Sequence, residues 1–190
     1  STKDLVNWKY EGEIMSAKDI SWATGSTSAW AAQTVKHNGK YYFYYCTWDA
    51  TSGNGQQSIG VAVSDSPTGP FKDLGKPVVS TWNDIDPTVW IEKDDKGEEH
   101  RYLAWGNGNY YICELNDDMI SVKDQNGDGK ITGGTSTKTA DVIQKTSVTS
   151  YTEAPWLYRR QDANGNYYGK YYLFYASGWR EGMSYATTDD

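Results

Sequence analysis

Short runs of aromatic and β-branched residues fill the chain, each broken by Gly, Asn, Asp, Ser or Pro, and apolar positions hardly ever recur at helical spacing. Residues 30–36 predict a strand. His37-Asn38-Gly39-Lys40 predicts a tight hairpin turn, because Asn-Gly accepts positive φ at little cost. Residues 41–48 predict the return strand and 57–64 (QSIGVAVS) a third. Ser66-Pro67-Thr68-Gly69-Pro70 reads as a loop, after which Phe71-Lys72-Asp73 opens an outer strand.

The pattern then recurs. Residues 86–93 predict a strand, 94–99 a turn, 101–106 a strand and 110–115 another. A third copy begins at Glu153, with strands expected over 155–160, 171–177 and 183–187 and a polar turn over 162–169. One unit thus appears three times: AWAAQTV…NGKYYFYY, IDPTVWI…HRYLAWG and EAPWLYR…GKYYLFYASG. The copies begin at Trp30, Asp86 and Glu153, a spacing of about 60 residues, and short antiparallel strands repeating on that scale predict propeller blades. A single blade cannot bury both faces, so neighbours must stack around an axis.

The expected fold class is therefore all-β, a β-propeller of four-stranded antiparallel blades. Residues 28–80 form one blade, 84–123 a second and 151–190 an incomplete third. Residues 1–15 are expected as the outer strand of a preceding blade, and 124–150 as an insertion between blades. Three blades do not close a ring, so strand edges should be exposed. A complementary chain or a second copy is the partner expected to complete it.

Composition narrows the function. The chain has 190 residues, with 16 Tyr and 9 Trp against 3 Phe. Tyr and Trp join a flat apolar body to a polar handle, which suits sugar-stacking surfaces as well as half-buried strands. The formal net charge is −7 and no basic run exists, which argues against nucleic acid. No apolar stretch approaches the roughly 18 residues of a membrane span, and no signal peptide opens the sequence. Cys46 and Cys113 sit inside strand-like runs and read as buried free thiols. His37 and His100 lie in no motif and read as surface residues, and no zinc-ligand spacing, Ser-His-Asp arrangement or phosphate loop is present.

The chemistry rests on two carboxylates. In a propeller the first strand of each blade starts near the central tunnel, so residues at those starts share one pocket. Asp86 and Glu153 hold equivalent places, just before strands, in Ile85-Asp86-Pro87 and Glu153-Ala154-Pro155. Two converging carboxylates are what glycosidic hydrolysis requires, one of them kept protonated by burial and by the other's charge. The plainer readings are a turn-forming Asp before Pro and a strand-end Glu.

The set WAAQTV…NGKYYFYY, GVAVSDSPTGPF, DIDPTVWI, LNDDMISV and YTEAPWLYR, in this order, resembles glycoside hydrolase family 43. The resemblance covers nearly the whole chain and only the middle of a full-length member. It implies a five-bladed propeller that acts with inversion on arabinan, xylan or arabinoxylan, so that plant cell-wall polysaccharide is the expected partner. It also implies roles: Glu153 as general acid, Asp86 as the carboxylate that tunes and orients it. The general base is implied to be an aspartate of a blade preceding this sequence. Asp19, the nearest N-terminal candidate, sits in a loop context that does not match. Trp30 corresponds to an aromatic wall of the sugar subsite, with Ala32 where the family pattern has Pro; its plainer reading is packing within the blade. Trp105 and Asn107 end a second strand and are substrate-binding candidates, with core or loop roles as the equal alternative, while Trp82, Trp156 and Trp179 are candidate stacking platforms.

A separate signal is Asp124-Gln125-Asn126-Gly127-Asp128-Gly129-Lys130-Ile131, with oxygen ligands at positions 1, 3 and 5, Gly at 6 and an aliphatic residue at 8 of a calcium loop. Asp124, Asn126 and Asp128 are its candidate ligands; position 12 would be Thr135, where a bidentate Glu is expected, and an Asn-Gly-Asp-Gly turn forms without metal. No other cofactor is required. Three functions follow from these readings: a glycosidase, a non-catalytic carbohydrate-binding propeller, or a repeat scaffold for protein partners. Only the first needs acids at equivalent blade positions.

Overall fold

The computed structural model describes residues 1–23, 28–50, 56–81 and 84–189. Among these its regular structure is almost entirely strand, arranged in three consecutive sheets. The first sheet runs in order through β1 (Ala29–His37), β2 (Lys40–Trp48), β3 (Gln57–Ser64) and β4 (Lys72–Asp73). The second contains β5 (Thr88–Lys93), β6 (Glu99–Trp105), β7 (Tyr110–Glu114), β8 (Gly133–Gly134) and β9 (Val142–Lys145), in the order β5-β6-β7-β9-β8. The third is β10 (Tyr151–Gln161), β11 (Tyr167–Ser177) and β12 (Gly182–Thr188). No helix among the described residues is long and apolar enough to cross a membrane.

The hairpin turns follow the local chemistry. His37 pairs with Lys40 across Asn38 and Gly39, which take φ of 46° and 80°. Beyond the turn β2 alternates strictly: Tyr42, Tyr44 and Cys46 face the main core, while Tyr45 faces a smaller cluster with Trp22 and Phe71. Both faces of β2 are therefore covered, which is why nearly every residue in it is apolar.

The main core lies between the first and second sheets. Tyr44, Ile59 and Val61 meet Leu103, Trp105 and Cys113 there, and the Tyr44 hydroxyl donates to the Met119 carbonyl. The first strands β1, β5 and β10 neighbour one another in turn. The Gln33 side-chain oxygen accepts from the Val89 N–H, joining β1 to β5. Glu92, on β5 and almost fully buried, takes Arg159 of β10 at 3.3 Å and the Tyr171 hydroxyl of β11. The third sheet is less covered: Trp156, Tyr158, Phe174 and Tyr185 expose much of their surface, and Tyr158, Tyr172, Phe174 and Tyr185 form a run of ring contacts.

Three expectations are corrected. Residues 1–15 form no strand. The Asp4 carboxylate instead accepts from the N–H groups of Val6 and Asn7, at 2.9 and 2.8 Å, and Leu5 takes φ of 61°, which curls the backbone. Residues 124–150 are not wholly an insertion, because Val142–Lys145 pairs antiparallel with β7 as an outer strand of the second sheet. Buried Asp141 sets that strand in place by accepting from the N–H groups of Gln125 and Thr132, at 2.7 and 2.8 Å. His37 is buried rather than at the surface, with its Nε2 3.4 Å from Glu99 at the start of β6.

The turn after β6 joins the second and third sheets. The Gly106 N–H donates to Ile85 O at 2.9 Å, and Gly106 O accepts from the Tyr151 hydroxyl at 2.9 Å. Gly108 N–H donates to Thr152 O at 2.7 Å. Gly106 has φ of 131°, and a Cβ placed on it would stand 2.0 Å from Asn109 O. Gly106→Ala should therefore cost about 2 kcal/mol or more in urea unfolding, through backbone strain and a clash with main chain that cannot give way. An unchanged urea midpoint would show that this turn does not join the sheets as described.

Candidate active site

The turn at Gly106 brings two acids together. Asp86 lies two residues before β5, with φ of 58°, a left-handed conformation that Asp tolerates better than most residues. Glu153 was expected just ahead of its strand, but β10 begins at Tyr151 and contains it. The register with β11 slips on both sides of Glu153, and Ala154 takes φ of 56°. Such a bulge redirects the side chain away from regular alternation. It also aims the Ala154 N–H at Asp86 Oδ2, 3.0 Å away. On the other side, the Asn107 amide donates to Glu153 Oε2 at 2.6 Å.

Asp86 is half-buried, and its carboxyl is pushed up to about 6. Burial is the main cause and the charge of Glu153 the second; the Ala154 N–H works against both, and Glu181 adds a smaller push. Glu181 sits at the turn between β11 and β12, where it and Arg180 both have positive φ. Nothing in the sequence marks it, since its influence on Asp86 depends on where that turn lies in the fold.

Trp30, Cys46 and Asp86 are linked through main chain. The Cys46 thiol donates to Trp30 O at 3.3 Å, and the Asp86 backbone also bonds to that sulfur. Burial pushes the Cys46 thiol up to about 11, so it stays protonated as a donor. The Trp30 ring is partly exposed and packs edge-on against Trp48 at 5.9 Å. It lines a groove of about 310 Å³ with Met15, Ile20 and Phe43, and neither carboxylate lines that groove.

Trp105 cannot serve as a substrate-binding residue, which corrects that expectation. It is fully buried, lies parallel to Tyr111 at 5.6 Å, and donates from Nε1 to buried Asp84 Oδ1 at 2.6 Å. Its role is to fix the segment that carries Asp86. Trp156 and Trp179 are exposed on the third sheet, Trp179 at 95%. Trp82 lies outside the described residues. A cavity of about 450 Å³ lies between the second and third sheets and is lined by aromatic residues such as Trp90, Tyr102 and Tyr172. It holds neither Asp86 nor Glu153, so we place the site at the acid pair, where groups able to move a proton are found.

The loop carrying Asp124, Asn126 and Asp128 is exposed and organised by its own backbone. Asp124 accepts from the N–H groups of Gly127 and Gly129, both at 2.7 Å, Asn126 from Asp128 and Asp128 from Lys130, both at 2.9 Å. The donor set fits half of a calcium loop: carboxylate or amide oxygens at positions 1, 3 and 5, but a hydroxyl, not a carboxylate, at Thr135.

The described residues thus form an all-β array of blade-like sheets with two carboxylates at a sheet junction. A sequence profile described as glycosyl hydrolases family 43 matches residues 1–188, and the chain belongs to that family. It is 30% identical to a β-D-galactofuranosidase of Aspergillus niger, over 100% of this chain and 52% of that protein. It resembles the solved structure of an α-L-arabinofuranosidase from Clostridium thermocellum with a TM-score of 0.71 and 33% identity, over 100% of this chain and 56% of that one. A β-xylosidase/α-arabinofuranosidase from a compost metagenome, solved with xylotriose, matches with a TM-score of 0.65 and 28% identity, over 95% of this chain and 58% of that one. The chain thus spans little more than half the length of these relatives.

The titration of Asp86 has a definite sign. Its folded-state value lies above the ordinary 3.8, so between about 4 and about 6 the folded chain keeps a proton that the unfolded chain has released. Its favourable contribution is complete below about 4 and is lost as pH rises through 6. Asp86→Asn should therefore stabilise the fold at pH 7, with the difference closing by pH 4. The Asp86 carboxyl carbon should titrate near 6 by NMR, and lower in Glu153→Gln, where the like charge is gone. A midpoint near 4 that ignores the second substitution would break the coupling between the two acids.

Proposed function

We propose that this chain carries the acid side of an inverting glycoside hydrolase that removes arabinofuranosyl or xylosyl units from arabinoxylan, xylan or arabinan. The observation that carries the reading is the junction itself: Asp86 accepts from the backbone N–H beside Glu153, while Asn107 holds the Glu153 carboxyl. Glu153 is the general acid in this reading. As the C–O bond breaks, its proton passes to the glycosidic oxygen, which would otherwise leave as a strongly basic alkoxide. Asp86 orients that acid and tunes it through its charge, and Asn107 is a positioning residue. The names of the relatives support this substrate class, since they act on furanosides and xylosides.

Inversion also needs a base that activates water on the opposite face of the sugar, roughly 6.5–9.5 Å from the acid. We assign that base to a segment outside these 190 residues, since the residues that match the family pattern here supply only the acid and its partner. The 190-residue chain by itself should turn over a nitrophenyl arabinofuranoside or xyloside negligibly, and adding a chain that supplies the remaining blades should restore release.

In the completed protein Glu153→Gln should lower kcat on xylan or arabinan by about 10²–10⁴-fold, the usual worth of a positioned acid. On a dinitrophenyl glycoside, whose leaving group needs no proton, the loss should be much smaller. Equal losses on both substrates would remove Glu153 from the acid role. Undiminished polysaccharide binding with no turnover by the completed protein would favour a carbohydrate-binding module.

A further inference from the structure

The turn between β5 and β6 gathers three metal-ligating side chains that take no part in the site above. Asp94, Glu98 and His100 each present one ligand atom, and these atoms all lie within 4.8 Å of one another. The turn is held by its own backbone. Asp94 Oδ1 accepts from the N–H groups of Lys96 and Glu98, both at 2.9 Å, and the Asp94 N–H donates to Glu98 O at 2.9 Å. Asp94 Oδ2 is left 3.7 Å from His100 Nε2.

The imidazole is fixed from its far side. His100 Nδ1 lies 2.9 Å from Glu114 Oε1 on β7. Glu114 is only 10% exposed and is itself held by Lys123 Nζ at 3.0 Å and Gln125 Nε2 at 2.9 Å. Nδ1 thus faces the Glu114 carboxylate, while Nε2 faces the turn, towards Asp94. A carboxylate behind an imidazole is the arrangement that orients metal-ligating histidines. The Tyr102 ring, nearly parallel to the imidazole at 6.1 Å, further fixes its plane.

Three ligand atoms thus lie close together, and among the described residues no Lys or Arg forms an ion pair with Asp94 or Glu98. One divalent cation would serve all three groups. We propose that Asp94, Glu98 and His100 bind a divalent transition ion of the Zn²⁺ type, with Glu114 as the positioning residue behind His100. Such an ion takes its ligands at about 2.0–2.2 Å, so side chains whose ligand atoms are spread over as much as 4.8 Å would draw inward on binding. An imidazole with two carboxylates suits Zn²⁺, whereas Ca²⁺ and Mg²⁺ favour sites built wholly from oxygen. The ion would staple the β5–β6 turn to β7, through His100 and Glu114, away from the acid pair.

The chain has two histidines, and both cysteines are buried, so competing ligands are few. Zinc chloride titrated calorimetrically into the 190-residue chain should bind at one ion per chain. Co²⁺ in its place should develop visible ligand-field bands. His100→Ala should abolish both signals. Glu98→Gln, an exposed turn position, should weaken binding about 10-fold or more with the circular dichroism unchanged, and Glu114→Gln should weaken it roughly 10–100-fold. Absence of saturable binding at one per chain, binding equal in His100→Ala, or binding that His37→Ala removes instead would overturn the proposal. None of these results depends on whether the chain cleaves sugars.

Discussion

Two carboxyl groups are held together across a sheet junction, and the site depends on how that is made tolerable. Asp86 and Glu153 repel, and burial adds to the cost of ionising Asp86. Their proximity is sustained by neutral donors: the Ala154 N–H on Asp86 and the Asn107 amide on Glu153. Those donors are in place only because β10 bulges at Glu153 and because the Gly106 turn locks Ile85 to Tyr151 through main-chain oxygens. The strained backbone at Asp86 and Ala154 belongs to the same device. Positive φ at a non-glycine residue is unfavourable, and it persists where surrounding packing over-determines it.

That packing is uneven along the chain. The first and second sheets share one continuous core, and fully buried Trp105 and Asp84 anchor the segment leading to Asp86. The third sheet, which carries Glu153, is tied on through polar links such as Glu92 with Arg159 and Tyr171, and shows an aromatic face to solvent.

Much of the fold was legible because strand alternation and turn chemistry are local. The Asn38-Gly39 hairpin, strand 57–64 and the threefold repeat follow from side-chain period and backbone preference alone. What misled was non-local. Residues 1–15 look strand-like until Asp4 captures its neighbours' N–H groups, and Val142–Lys145 is too short to declare itself without β7 beside it. At the site, Asp86 and Glu153 were visible from equivalent positions in two repeats. Trp105 read as a pocket residue because a strand-end Trp before Gly-Asn-Gly looks exposed; the core claims it through Asp84. Glu181, and the meeting of Asp94, Glu98 and His100, were hidden because each requires a turn to fold back on itself.

A crystal structure of the completed Glu153→Gln protein with a xylo- or arabino-oligosaccharide would test the central claim most directly. The account places a glycosidic oxygen within hydrogen-bonding distance of the residue 153 side chain, with Asp86 beside it. A sugar seated instead in the aromatic cavity between the second and third sheets, or on the outer face of the third, would contradict it.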